Sequence, residues 1–275
     1  MLTIICQLKT GSNAYLEFIE AEFAINSIAV YALRYYSNAV FNCRHDFFRI
    51  SVFRATGLAL NSLAFGLHAY HVSMRTTHLL YLHGFRSSPQ SAKAKKMAAL
   101  MAHRFPAVHW WCPQLPPSPR QAMELLINEI TGWPSQAGFE SMAVVGSSLG
   151  GFYATAVAER MGCKAVLLNP AVEPARDLVR RIGEQTAWHN SEERFFFEPV
   201  FIDELRALHA GQLQRPENYL AVIAKGDEVL DWREMATRYQ DAQLHLLEGG
   251  DHALSDFDKH LPLILDFLAL ASNQP

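Results

Sequence analysis

From Met74 onward, short uninterrupted apolar runs alternate with segments of helical periodicity, and this rhythm restricts the fold more than any other feature. HLLYLHGF (78–85), AVHWWCPQLPP (107–117), SMAVVGS (141–147), KAVLLNP (164–170), NYLAVIAKGD (218–227) and AQLHLLEGG (242–250) read as buried strands bounded by glycine, proline or a charged turn. SAKAKKMAALMAHRF (91–105), SPRQAMELLINEITGW (118–133), GGFYATAVAERMG (150–162) and WREMATRYQ (232–240) read as the intervening helices. SDFDKHLPLILDFLAL (255–270) reads as a last helix, with a bend predicted at Pro262. Strands alternating with helices of this length predict an α/β class fold, a mostly parallel sheet covered by helices on both faces.

Two regions stand outside the rhythm. Residues 171–215 interrupt it, and their composition predicts a small helical cap insert rather than another crossover. Residues 1–73 hold no proline and few turn signals, and are predicted to be an N-terminal extension, helical or poorly ordered, preceding a domain of residues 74–275. Within the extension, ATGLALNSLAFGLHAYHV (55–72) is uncharged and near spanning length, but Asn61, Ser62, His68 and His71 would be costly in hydrocarbon. No stable membrane span is expected.

The chain has 275 residues, 50% of them hydrophobic and 19% charged, which is enough apolar material for a substantial core. Its net charge of -3, without a lysine–arginine cluster, argues against a nucleic-acid partner. Cys6, Cys43, Cys112 and Cys163 have no zinc-like spacing and read as reduced thiols, and no metal is expected. The first residues lack the basic start, long apolar run and small-residue cleavage site of a secretory signal, so a cytoplasmic location is expected.

One motif carries chemistry. In Gly146-Ser147-Ser148-Leu149-Gly150 only Ser148 has glycine two residues away on both sides, between a predicted strand and a predicted helix. G-x-S-x-G marks a tight, strained turn that exposes a nucleophilic serine, and side chains at the glycine positions would collide there. The same turn sets the Leu149 N–H at a helix start, where it can meet a developing oxyanion. Such a serine needs a base, and the base an orienting acid. His252 follows the last predicted strand, and Asp227 follows the strand before it; Glu228, Asp231 and Asp251 are the competing acids. The H-G pair in YLHGFRSSP (81–89) implicates the Phe85 N–H as a second oxyanion donor, with His83 bracing that loop. Neither a G-x-x-x-x-G-K-[ST] phosphate loop nor a G-x-G-x-x-G dinucleotide turn is present, and no cofactor is expected.

LLYLHGFRSSPQSAKAKKM, VVGSSLGGFYATAVAERMG, AVLLNPAVEP, KGDEVLDWREM and GGDHALSDF together resemble the YqiA-like esterase family of α/β-hydrolases, over residues 77–275. The resemblance implies a compact hydrolase with esterase activity on small or medium acyl esters or thioesters, with Ser148, Asp227 and His252 as the triad. Nothing about residues 1–73 follows from it. The insert aromatics, Trp188, Phe195, Phe196, Phe197 and Phe201, either line an acyl pocket or pack the insert onto the sheet. Trp188, Phe196 and Asn169 are taken as candidate substrate contacts. A non-catalytic binding or scaffold protein on the same fold, or a hydrolase of another bond type, stands as the alternative.

Overall fold

A computed structural model of the protein describes residues 76–133, 141–188, 190 and 192–270, together with an antiparallel pairing of Leu2–Thr3 with Glu20–Ala21. The chain divides into two units, Met1–Ala69 and Tyr70–Pro275. The stretch 55–72, Cys6 and Cys43 lie outside the described residues.

The second unit is built on six parallel strands: β1 (His78–Leu82), β2 (His109–Trp111), β3 (Met142–Ser147), β4 (Lys164–Leu168), β7 (Tyr219–Ala224) and β8 (Gln243–Leu247). Their order across the sheet is β8-β7-β4-β3-β1-β2, with Leu80 beside Val144, Val144 beside Ala165 and Leu167 beside Ala221. β2 is only three residues long because Pro113, Pro116 and Pro117 in the run that follows offer no N–H to a ladder.

Helices cover both faces, as the alternation predicts. Alternate residues of β1, β3, β4 and β7 form two cores, one on each face of the sheet. On one face Leu79, Val145 and Val222 pack with Met97 and Met101 of α1 (Ala92–Arg104) and Ile264 and Leu265 of α7 (Leu261–Phe267). On the other, Leu80, Val144 and Leu167 pack with α2 (Pro119–Thr131), α3 (Leu149–Met161) and α6 (Trp232–Arg238). The Ser91 and Ser118 hydroxyls accept from Ala94 N–H and Gln121 N–H and so cap the starts of α1 and α2. Pro262 opens α7 in its first turn, where its missing N–H costs nothing, instead of bending a longer helix.

The insert differs from the helical reading. Besides α4 (Pro174–Asp177) and α5 (Val200–Leu208), it contains an antiparallel ribbon of β5 (Gly183–Thr186) and β6 (Arg194–Phe197). Three consecutive phenylalanines hide the two-residue period of a ribbon, which only the tertiary contacts resolve. Phe195 and Phe197 turn inward onto Phe85, at ring-centroid distances of 6.0 and 5.3 Å, while Phe196 turns outward.

Candidate active site

β1 is followed by β2 on one side and β3 on the other, so the crevice beyond the ends of β1 and β3 is the topological switch point where open α/β sheets bind ligands. Ser148 stands there. It links β3 to α3 with φ 56° and ψ −122°, a strained backbone for a residue with a side chain. The turn is locked from β4: Ser148 N–H donates to Leu168 O at 3.0 Å, and Ala171 N–H donates to Ser148 O at 3.0 Å. Ser147 is on the other face of the strand, buried and interacting with the Tyr81 hydroxyl. The two adjacent serines are thus separated by the pleat.

β7 and β8 deliver the other two groups. Asp227 Oδ2 lies 2.7 Å from His252 Nδ1, and His252 Nε2 lies 3.0 Å from Ser148 Oγ. The Asp227 side chain is fully shielded from water, and its Oδ1 accepts from Val229 N–H and Leu230 N–H, both at 2.8 Å. With Oδ1 held by two backbone donors, Oδ2 is fixed toward the imidazole. The competing acids have other work. Glu228 accepts the His252 backbone N–H at 3.0 Å, Asp231 caps α6 through Arg233 N–H, and Asp251 binds the Ser255 N–H and hydroxyl. These Ser255 contacts hold the Asp251 carboxyl below its ordinary value. Lys93 of α1 donates to Ala253 O just after the histidine, and burial lowers its ammonium group's pKa despite the opposing field of Asp251 and Asp227.

The H-G loop lies against the serine: a Cβ on Gly84 would stand 3.7 Å from Ser148 Oγ. Leu115 N–H donates to His83 Nε2 at 3.1 Å, which leaves the ring proton on Nδ1 to meet Gly84 O at 3.0 Å. His83 therefore braces the loop. Phe85 and Leu149 both line a cleft of about 460 Å³, and among the described residues neither backbone N–H has a hydrogen-bond acceptor. The cleft walls are largely apolar, with Leu115, Pro116, Leu125, Tyr153 and Phe195, and its polar lining includes Arg86, Ser87, Gln114 and Glu193.

The three candidate substrate contacts are not in that lining. Phe196 is 55% exposed on the outer face of the ribbon; the neighbour that enters the cleft is Phe195, because strand residues alternate. Trp188 is 73% exposed and lies under the Arg86 guanidinium, outside the cleft. Asn169 is fully buried behind the site. Its amide donates to Asp251 O and His252 O at 3.0 and 3.2 Å, and its Oδ1 accepts from Ala224 N–H at 2.8 Å. Asn169 joins the histidine loop to the end of β7, the strand whose following loop carries Asp227. The N-P signal at the end of β4 marked the position, but not the direction of its side chain.

Among the described residues, no cluster of three or more histidine, cysteine or acidic side chains could hold a metal, and no helix is long and apolar enough to cross a membrane. Cys112 and Cys163 are free thiols that burial pushes up to about 12.

Residues 78–269 match the model of UPF0227, described as an uncharacterised protein family. A UPF0227 protein of Yersinia pseudotuberculosis serotype O:1b (strain IP 31758) is 25% identical over 199 residues, covering 70% of this chain and 99% of its own. The structure is similar to the α/β-hydrolase GrgF from Penicillium sp. sh18, with a TM-score of 0.52 and 15% identity over 71% of this chain and 90% of that one. It is also similar to a structure of the metagenome-derived lipolytic enzymes LipS and LipT, with a TM-score of 0.51 and 17% identity over 70% of this chain and 94% of that one. The family match spans the whole six-stranded sheet and the loops at its switch point, and on that ground the chain belongs to UPF0227, the family of YqiA, and has the α/β-hydrolase fold.

Proposed function

We propose that the protein is a serine hydrolase of carboxylic esters or thioesters, working through an acyl-enzyme. The observation that carries this reading is the continuous line Asp227–His252–Ser148, at 2.7 and 3.0 Å, ending beside an apolar cleft. His252 Nε2 takes the proton as Ser148 Oγ attacks the acyl carbon. The N–H groups of Phe85 and Leu149 receive the oxyanion of the tetrahedral intermediate. His252 then gives the proton to the departing oxygen or sulfur, and a water molecule repeats the sequence on the acyl-serine. Asp227 keeps the imidazole in the tautomer that can accept from serine, and stabilises the imidazolium that forms. The largely apolar walls suit a small or medium acyl chain.

The test is covalent. A fluorophosphonate should modify the chain once, on the peptide containing Ser148, and hydrolysis of p-nitrophenyl butyrate should vanish in proportion to labelling. Rapid ester turnover after complete labelling, or an adduct elsewhere with Ser148 untouched, would overturn the assignment. Absence of both labelling and turnover across esters and thioesters would favour a binding protein on the hydrolase fold.

A further inference from the structure

Arg86 follows the proposed oxyanion donor Phe85 directly, and it occupies a left-handed backbone conformation, φ 61°. Glycine and asparagine accept that conformation readily; an arginine there is strained, and such outliers gather at functional sites. Two contacts fix its guanidinium. Nε–H donates to Thr186 O at 2.5 Å, and Cζ lies 4.2 Å from the centroid of the Trp188 ring. Trp188 N–H in turn donates to Arg86 O at 2.7 Å, so the ribbon and the oxyanion loop hold this one side chain between them.

These contacts engage Nε and set the guanidinium over the Trp188 ring, but involve no carboxylate. Arg176 and Arg194 of the insert pair with Glu234 and Glu184, whereas no described acidic residue pairs with Arg86. A half-buried, fixed positive charge in the lining of an otherwise apolar cleft is left without a counter-ion from the described residues. Ser87 and Gln114 add polar groups to the same lining, and Glu193 is its acidic member. Glu193 is exposed, so solvent screens it more than it screens Arg86.

We propose that Arg86 is the specificity-determining residue of the cleft and binds an anionic group, a carboxylate or a phosphate, that the substrate carries beside its scissile acyl bond. The proposal rests on the esterase reading for the reaction, but the anion site itself does not require turnover. A guanidinium held through Nε and over an aromatic ring retains its two Nη groups for a two-point contact with an oxyanion, which lysine cannot copy. Because the anion takes no part in bond making, its effect falls mainly on KM.

Kinetics locate the anion. Mono-p-nitrophenyl glutarate is compared with p-nitrophenyl valerate for a charge on the acyl side, and 4-carboxyphenyl butyrate with phenyl butyrate for a charge on the leaving group. In one of these pairs the full-length protein should favour the anionic ester in kcat/KM. That preference should fall about 10- to 100-fold in Arg86→Gln, fall less in Arg86→Lys, and rise in Glu193→Gln. Binding is read separately: monomethyl glutarate, dimethyl glutarate and phenyl phosphate are titrated calorimetrically into Ser148→Ala and into Ser148→Ala/Arg86→Gln. The anions should bind more tightly than the diester, and only when Arg86 is present. Equal affinity for charged and neutral ligands, or a charge preference untouched by Arg86→Gln in a variant with an unchanged melting temperature, would overturn the proposal. Failure of the esterase reading would show instead as anion binding without turnover or labelling.

Discussion

Gly150 sits under the carbonyl of Leu82 so closely that a Cβ on it would stand 2.0 Å from that oxygen. The start of α3 is thereby pressed against the end of β1, and the H-G loop that follows β1 reaches Ser148. The first glycine of the motif is as closely confined, since a Cβ on Gly146 would meet Gly150 O at 2.2 Å. The motif's glycines are thus a packing requirement between two backbones, and the serine is placed by it.

Gly150→Ala is expected to destabilise the fold by at least about 1–3 kcal/mol, because no side chain can move aside to relieve a clash with a strand carbonyl. Ester hydrolysis should be lost with it. Gly211→Ala, where nothing lies within 4 Å of the added carbon, should leave the melting temperature nearly unchanged. Parallel thermal melts of the two variants make the comparison.

Ser148→Ala should lower kcat for ester hydrolysis by about 10⁴–10⁶. Ser147→Ala should keep most of the activity, since that hydroxyl is buried with Tyr81 on the far face of the sheet. Steady-state rates of both variants decide it, and equal modest losses would count against Ser148.

Asp227→Asn should cost about 10⁴ in kcat, because the amide can present an N–H where the imidazole needs an acceptor. Glu228→Gln should cost less than about tenfold, because the amide oxygen can still accept the His252 backbone N–H. The reverse ranking in kcat would move the acid to Glu228.

Asn169→Leu removes both donor contacts and the acceptor, leaving Ala224 N–H and two loop carbonyls short of partners at a cost of about 1–3 kcal/mol each. It also forces a leucine into φ 42°. Denaturant unfolding should show the loss, with fluorophosphonate labelling of Ser148 slowed. In Asn169→Asp a protonated carboxyl can still donate to one carbonyl, whereas the carboxylate repels both. Its kcat should therefore fall as pH rises, opposite to the trend expected where histidine acts as base.

Asp251 offers a test of acid stability. Its carboxyl is held below its ordinary value, first by the Ser255 hydroxyl and then by the Ser255 N–H. A carboxylate whose folded value is depressed contributes stability above its unfolded value, near pH 4, and loses it as pH falls through the folded value. Ser255→Ala should shrink that acid-sensitive part of the unfolding free energy. The change should be small, since the pair faces solvent.

Local chemistry made much of this legible in the chain itself. Apolar runs set the strands, serine caps and helical periods set α1 and α2, and the G-x-S-x-G spacing singled out Ser148 because steric exclusion at a turn depends on neighbours two residues away. Asp227 and His252 were readable as groups at strand ends, a position that strand order converts into proximity. The direction of a side chain was another matter. RFFF looks alike at every position, and only pairing with Gly183–Thr186 decided that Phe195 enters the cleft while Phe196 faces water. Asn169 sits beside the site in sequence terms, yet its amide turns inward because three backbone groups from β7 and the histidine loop converge there. Arg86 gave no sequence signal, since its significance lies in what surrounds it: a left-handed backbone, the Trp188 ring against its guanidinium and no described carboxylate as a partner. Periodicity and motif spacing record interactions a few residues apart along the chain, whereas these three outcomes depend on groups from other segments of the chain, which only the folded packing brings into contact.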